Sequence, residues 1–455
     1  MTLVKTEIAK IEDKKAVGGF FKMLGGVADA VRSWVGNINP DLNSSRDIES
    51  LTSKMNECLN PKGGEVSARK NTVSLGNLYL TLSEEGKVRF LQTLAEKFNS
   101  HREEIDEKII EYKENRNLEL SYKFEQDLIK VLESPRSKIL KQFISLPEGL
   151  KFIVDMRSDV LKLKNQYKTL SPLESEIKNT LNSWVDVDLL DLHQITWDSP
   201  ASLLEKLIKY EAVHKISSWG DLKNRLDSDR LCFAFFHYKM PNEPLIFVEV
   251  ALVNKIADSI QHLLDESLPS NDPSSANTAI FYSISNTQAG LSGISLGNFL
   301  IKRVVEKLSQ EFKNVKTYAT LSPIPGFTKW LKEQSADLLN TFDIKQSGEE
   351  ILEQLKVNAE YEKQCLLKLC AHYLLKVKGH NGSAYDPVAH FHLSNGASIK
   401  QLNWMADISE KGMDQSAGIM VNYLYELPKI DNNHENYMIN KVISCSKQVL
   451  SILKG

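Results

Sequence analysis

Cysteine is scarce: Cys58, Cys232, Cys365, Cys370 and Cys445 are the only five in 455 residues. No two stand at CxxC spacing, so neither a disulfide framework nor a zinc site is indicated, and a reducing, cytoplasmic setting is expected. Excess charge of either sign is also missing. Lys+Arg 56 against Asp+Glu 59 leaves a net charge of −3, which argues against nucleic acid as a main partner. No uninterrupted apolar run reaches about 18 residues, so no transmembrane helix is expected. The chain ends Ile452-Leu453-Lys454-Gly455, which is not a Ser-Lys-Leu peroxisomal signal. Internal repeats and low-complexity tracts are absent, and glycine is rare between Gly76 and Gly220.

What is present divides the chain in three. Residues 1–60 read as an extension, loop-like around Asn37–Arg46. Within it Phe20, Phe21, Leu24, Val27, Val31, Trp34 and Val35 recur at helical spacing beside Lys22 and Arg32. A docking helix or flexible extension is the preferred reading, with membrane contact by an amphipathic helix as the alternative. Glu7, Glu12 and Asp13 argue against an organelle transit peptide. Residues 61–183 carry a helical pattern, with Ser83 as an N-cap and Phe90, Leu91, Leu94 and Phe98 on one face. Pro135 is expected to break or kink this pattern. An all-helical bundle that packs or oligomerises follows. Residues 184–455 read as mixed α/β. Cys232–Phe236 and Leu245–Leu252 predict a hairpin joined across Pro241-Asn242-Glu243-Pro244, Ala279–Ser285 and Lys316–Thr320 predict two further strands, and Ile419–Tyr425 another. Helices are expected over Asn298–Phe312 and Gly348–Val377.

The candidate chemistry lies between Ala279 and Tyr425. The segment Gln288-Ala289-Gly290-Leu291-Ser292-Gly293-Ile294-Ser295-Leu296-Gly297-Asn298 links a strand to a helix. Glycine there would let the backbone approach a phosphate, and free N–H groups at a helix start complement negative charge. No Gly-Lys-Ser/Thr follows, so it is not a Walker sequence; a plain tight turn is the alternative. Gly293-Ile294-Ser295-Leu296-Gly297 is formally GxSxG, and Asp386 and His392 follow in hydrolase order. However, about nine residues separate Ser295 from the strand that a nucleophile elbow should follow directly. Ser322, at the end of the next strand, is stiffened by Pro323 and Pro325 and faces the same region. His390 and His392, two residues apart, could share one strand face, with one of them an acid or base beside Ser322; no third ligand suggests a metal. Trp404 reads as core or pocket wall. Tyr423 and Tyr425 fall on one strand face, packed in the core or with a phenol reaching the site.

In combination these residues resemble the malonyl-CoA decarboxylase family. The resemblance is carried by Ile195–Lys206, Tyr210–His214, Glu243–Leu252, Phe281–Ser285, Leu296–Val305, Leu321–Leu331, Phe391–Ala397, Asn403–Asp407 and Asn422-Tyr423. It implies a two-domain α+β fold, an all-helical oligomerisation bundle followed by an acetyltransferase-like α/β acyl-CoA-binding domain. It implies conversion of malonyl-CoA to acetyl-CoA and carbon dioxide by a homo-oligomer with no metal or organic cofactor, coenzyme A being carried by the substrate. The family's catalytic serine falls on Ser322 and its histidine on His392. Its acyl-CoA loop falls on Ser292–Asn298, a site tyrosine on Tyr425 and a pocket serine on Ser283. Two departures stand out. Ser295 replaces the family's usual acidic residue, which would support the histidine, and His390 replaces an asparagine. A catalytically weakened acyl-CoA-binding protein, or a CoA-dependent acyltransferase of the same fold, is the alternative.

Overall fold

The computed structural model describes residues 38–114, 118–185, 189–294, 300–379 and 381–454. The apolar helical spacing read around Phe20–Val35 therefore lies outside the described residues. The described chain forms two compact units. The first holds residues up to Val185 together with Tyr238–Met240 and Gln288–Ile294, and the second holds the remainder.

The first unit is built on eight helices, α1 (Ser45–Leu59), α2 (Gly64–Thr81), α3 (Glu84–Lys97), α4 (Arg102–Glu114), α5 (Leu118–Leu132), α6 (Pro135–Ser145), α7 (Gly149–Leu163) and α8 (Ser171–Trp184). Their starts follow local chemistry. Ser83 accepts from the Gly86 N–H at 3.1 Å and caps α3, as its position in the sequence predicts. Ser134 does the same for Ser137, so Pro135 opens α6 at a position where its missing N–H costs nothing. The stretch read as an extension ends in α1. A Ser44–Asp47 capping box starts this helix, and Leu51, Met55 and Cys58 are wholly buried within the unit. Phe90, Leu91, Leu94 and Phe98 are buried as their spacing requires. Tyr79 meets Phe90 and Phe152 edge-on and donates its hydroxyl hydrogen to Asp159 at 2.9 Å.

The second unit is organised by a seven-stranded mixed sheet, order β1-β2-β3-β4-β5-β7-β6. The strands are β1 (Leu190–Ile195), β2 (Arg230–His237), β3 (Met240–Val253), β4 (Thr278–Asn286), β5 (Thr317–Thr320), β6 (Ser398–Asn403) and β7 (Met420–Leu424). With the helical first unit, this is the two-domain α+β architecture that the resemblance implies. The β2–β3 turn is Tyr238-Lys239, and Pro241 and Pro244 lie inside β3. That corrects the expected hairpin connection. Pairing of β3 with β4 begins only at Ile246, so both prolines occupy a stretch where a missing N–H breaks no bond to β4.

The β4–β5 pair is parallel, joined through helix α9 (Leu300–Glu311). Leu300, Ile301, Val304, Val305 and Leu308 form the buried stripe of that helix. The two strands stay paired for a short distance, from Thr278 opposite Thr317 to Phe281 opposite Thr320. The last bond runs from the Leu321 N–H to the Phe281 carbonyl at 2.9 Å. Beyond it β4 continues along β3 to Asn286, while Ser322 exchanges both backbone bonds with Val421, each 2.9 Å. The parallel strands thus part at their carboxyl ends, the place where open α/β sheets take ligands.

Two further expectations are corrected. The helix predicted over Gly348–Val377 is two, α10 (Gly348–Val357) and α11 (Ala359–Lys376). Asn358 leaves helical geometry between them, and its side chain accepts from the Tyr361 N–H at 3.3 Å. His390 and His392 lie on a helix, α12 (Pro387–Ser394), not on a strand. Asp386 caps it through the Val388 and Ala389 N–H groups at 3.0 and 2.9 Å, and Pro387 occupies its first turn.

Candidate active site

Ser322 stands where β4 and β5 part. Its backbone is held by Val421. Its hydroxyl oxygen lies 3.0 Å from His392 Nε2 and 2.8 Å from Thr320 Oγ1. His392 reaches it from α12. The opposite ring nitrogen, Nδ1, is 2.8 Å from the Tyr425 hydroxyl. The Tyr423 ring stacks on the imidazole, centroids 4.4 Å apart at 25°. Ser322, His392, Tyr425 and Thr320 are all buried. Residues 70 apart in the chain thus form one continuous set of hydrogen bonds.

His390 does not join them. Positions i and i+2 on a helix point about 200° apart, and His390 Nδ1 contacts the Tyr437 hydroxyl at 2.8 Å instead. Asp386 is also absent from the set, because its carboxylate is engaged by the α12 N–H groups and by Tyr373. The Ser–Asp–His order that GxSxG suggests is therefore not assembled around His392; Ser295 itself lies outside the described residues.

Burial lowers the His392 pKa from 6.5 to about 3, so the folded ring is neutral and carries one proton. The Tyr425 phenol is pushed well above its ordinary value by the same burial. A group whose folded pKa is depressed contributes stability that is complete above its unfolded pKa and lost as pH falls towards the folded value. Below pH 6.5, His392 alone is expected to cost about 1.4 kcal/mol of stability per pH unit. His214, lowered to about 4 mainly by burial, adds a parallel loss. Urea midpoints measured between pH 7 and about pH 4 check this: His392→Gln should flatten the slope relative to the unsubstituted chain.

Ser283 is buried on β4, where its hydroxyl lies 2.8 Å from each oxygen of Glu211. Ser285 donates to the same carboxylate at 3.1 Å and accepts from the Ala212 N–H. Glu211 also accepts from the Val213 and His214 N–H groups, both at 2.8 Å. Sequence reasoning quoted Tyr210–His214 without giving Glu211 a role, and it passed over Thr320. The signal for Thr320 was its position two residues before Ser322, where alternation puts both side chains on one face of an extended chain.

The described part of the glycine-rich turn, Gln288–Ile294, belongs to the helical unit. A Cβ on Gly290 would stand 1.8 Å from the Val154 carbonyl oxygen of α7, so this glycine serves packing against a helix. Arg157 of the same helix donates to the Gly290 and Ser292 carbonyls at 2.6 and 2.9 Å and pairs with Glu174 at 2.7 Å. The Leu291, Ser292 and Ile294 N–H groups close local turns onto Gln288, Ala289 and Leu291. They are not free to cradle a phosphate. Gly293 takes φ +69, a left-handed conformation suited to glycine. Ser295, Leu296, Gly297 and Asn298, the remainder of the expected acyl-CoA loop, lie outside the described residues.

The sequence model of the malonyl-CoA decarboxylase C-terminal domain matches residues 188–455, and that of the N-terminal domain matches residues 98–185. The chain belongs to the malonyl-CoA decarboxylase family. Its members are carboxy-lyases, and this chain is an enzyme of that class. The mitochondrial malonyl-CoA decarboxylase of Anser anser anser is 38% identical over 382 residues, 77% of this chain and 76% of the relative. That of Rattus norvegicus is 38% identical over 360 residues, 72% and 73%. Among crystal structures, malonyl-CoA decarboxylase from Rhodopseudomonas palustris superposes with a TM-score of 0.81 at 38% identity, covering 90% of this chain and 99% of that one. The Agrobacterium vitis enzyme gives 0.80 at 34%, covering 89% and 99%. Among the described residues no helix is long and apolar enough to cross a membrane.

Proposed function

We propose that the chain converts malonyl-CoA to acetyl-CoA and carbon dioxide by acid–base chemistry at Ser322 and His392. The observation that carries this reading is the buried Ser322–His392 contact at 3.0 Å, beside the point where β4 and β5 part. In the reaction the bond between the α-carbon and the carboxylate breaks, and its electron pair moves into the thioester carbonyl as an enolate. That carbonyl is itself the electron sink, so the proposed chemistry uses neither metal nor organic cofactor, and coenzyme A enters as part of the substrate. Fixed donors must stabilise the enolate oxygen, usually the largest catalytic contribution. The α-carbon then takes a proton. Ser322 supplies its hydroxyl hydrogen as the imidazole N–H replaces it, and solvent restores the imidazole. Ser295 stands where the family has a carboxylate, but Tyr425 anchors Nδ1 at 2.8 Å and supports the same ring orientation.

The helical unit would serve homo-oligomerisation. Ile110, Tyr112, Tyr122, Ile129 and Leu132 expose apolar surface on α4 and α5, which supports that assignment. The free cysteines fit a reducing compartment and support a cytoplasmic location, whereas the curated relatives carry mitochondrial names; cell fractionation separates the two. The primary test is release of carbon dioxide and acetyl-CoA in equal amounts from malonyl-CoA by the purified chain. Binding of malonyl-CoA without carbon dioxide release would refute the reading.

A further inference from the structure

Ser322 Oγ has one hydrogen and two neighbours able to accept it, Thr320 Oγ1 at 2.8 Å and His392 Nε2 at 3.0 Å. The geometry has Ser322 donating to Thr320. With the serine hydrogen committed to Thr320, the contact at Nε2 is a hydrogen bond only if Nε2 carries the imidazole proton and Ser322 Oγ accepts it. Nδ1 is then bare, and the Tyr425 hydroxyl 2.8 Å away donates to it. The bonds run in one direction, from Tyr425 to His392 to Ser322 to Thr320. Thr320 is wholly buried, and its oxygen is held in place by the Tyr423 N–H at 3.1 Å. Tyr423 in turn stacks on the imidazole. The last acceptor and the ring it governs are thereby fixed to the same strand, β7.

We propose that Thr320 is a positioning residue that, as terminal acceptor of this chain of hydrogen bonds, holds neutral His392 in the tautomer with its proton on Nε2, facing Ser322. This deepens the proposed acid–base reading and rests on it for its catalytic meaning. The tautomer places the transferable proton on the nitrogen beside Ser322 before substrate arrives. Removing the Thr320 hydroxyl frees the serine hydrogen to turn to Nε2, which drives the ring proton to Nδ1 and onto Tyr425.

Long-range proton–nitrogen NMR on the full chain, labelled with ¹⁵N-histidine, reads the tautomer directly, and His392→Gln identifies the His392 signals. The unsubstituted chain and Thr320→Ser should show a protonated Nε2 and a bare Nδ1, whereas Thr320→Val should show the reverse. Turnover of Thr320→Val should fall about tenfold in kcat with little change in KM, the size of one lost hydrogen bond, and Thr320→Ser should restore it. If Thr320→Val does not fold, Thr320→Ala removes the same hydroxyl with less bulk. A proton on Nδ1 in the unsubstituted chain, or an Nε2 proton that persists in Thr320→Val, overturns the proposal. Because the spectrum is independent of turnover, the two readings fail separately. An unmoved tautomer defeats the role of Thr320 alone. Undiminished carbon dioxide release by His392→Gln, with the expected tautomer in the unsubstituted chain, defeats the acid assignment alone.

Discussion

Replacing His392 with glutamine is expected to lower kcat for carbon dioxide release from malonyl-CoA by roughly 100-fold or more, the usual contribution of one positioned acid or base. Glutamine can occupy part of the imidazole's volume and donate a hydrogen bond, but it cannot give up and recover a proton near neutral pH. Ser322→Ala should cost a similar factor, because its hydroxyl is the polar partner of Nε2, at 3.0 Å. The double variant should be little worse than either single one, since groups acting as a unit are strongly non-additive. Steady-state kinetics on the three purified variants decides the matter. Turnover within a few-fold of the unsubstituted chain in both single variants would remove these residues from the mechanism. Penalties that multiply in the double variant would show that the pair does not act as one relay.

Arg157→Ala should destabilise the helical unit by about 3–5 kcal/mol, the usual penalty for stripping one partner from a buried ion pair. Arg157 and Glu174 are both buried, and the guanidinium reaches Glu174 through Nε at 3.1 Å and Nη2 at 2.7 Å. Lys164, 3.4 Å from the other carboxylate oxygen, offsets only part of the loss. The Gly290 and Ser292 carbonyls would lose their Arg157 donor as well. Gly290→Ala attacks the same junction sterically, because no rotamer relieves a Cβ placed against a backbone carbonyl. Urea unfolding followed by circular dichroism measures both. A change under about 1 kcal/mol for Arg157→Ala, the range of an exposed pair, would mean that water compensates Glu174 and that the pair is not effectively buried.

Much of the architecture is legible in local pattern. The apolar stripe of α9, the Ser83 cap, and the continuous β-rich run of β4 each depend on neighbours within a few residues, so local pattern and capping chemistry suffice to place them. Position 322 is legible for a related reason: the flanking prolines and the end of β5 restrict it locally. Errors arose where one local pattern admits two structures. His390-Phe391-His392 alternates like a strand, and only the Asp386-Pro387 start commits it to a helix. Pro241 and Pro244 look like a turn until the late start of β4 pairing shows that β3 can hold them.

By itself the sequence determined most of the helices and strands, the place of Ser322 at the end of β5, and the family. Tertiary structure decided what those residues face. It took Gly290 from an expected phosphate cradle to the surface of α7, gave Glu211 the Ser283 and Ser285 hydroxyls, and set Thr320 and Tyr425 at the two ends of the Ser322–His392 pair. The reason is physical. Secondary structure is governed by contacts a few residues apart, whereas a proton's location and a ring's pKa depend on burial and on partners brought together from distant parts of the chain.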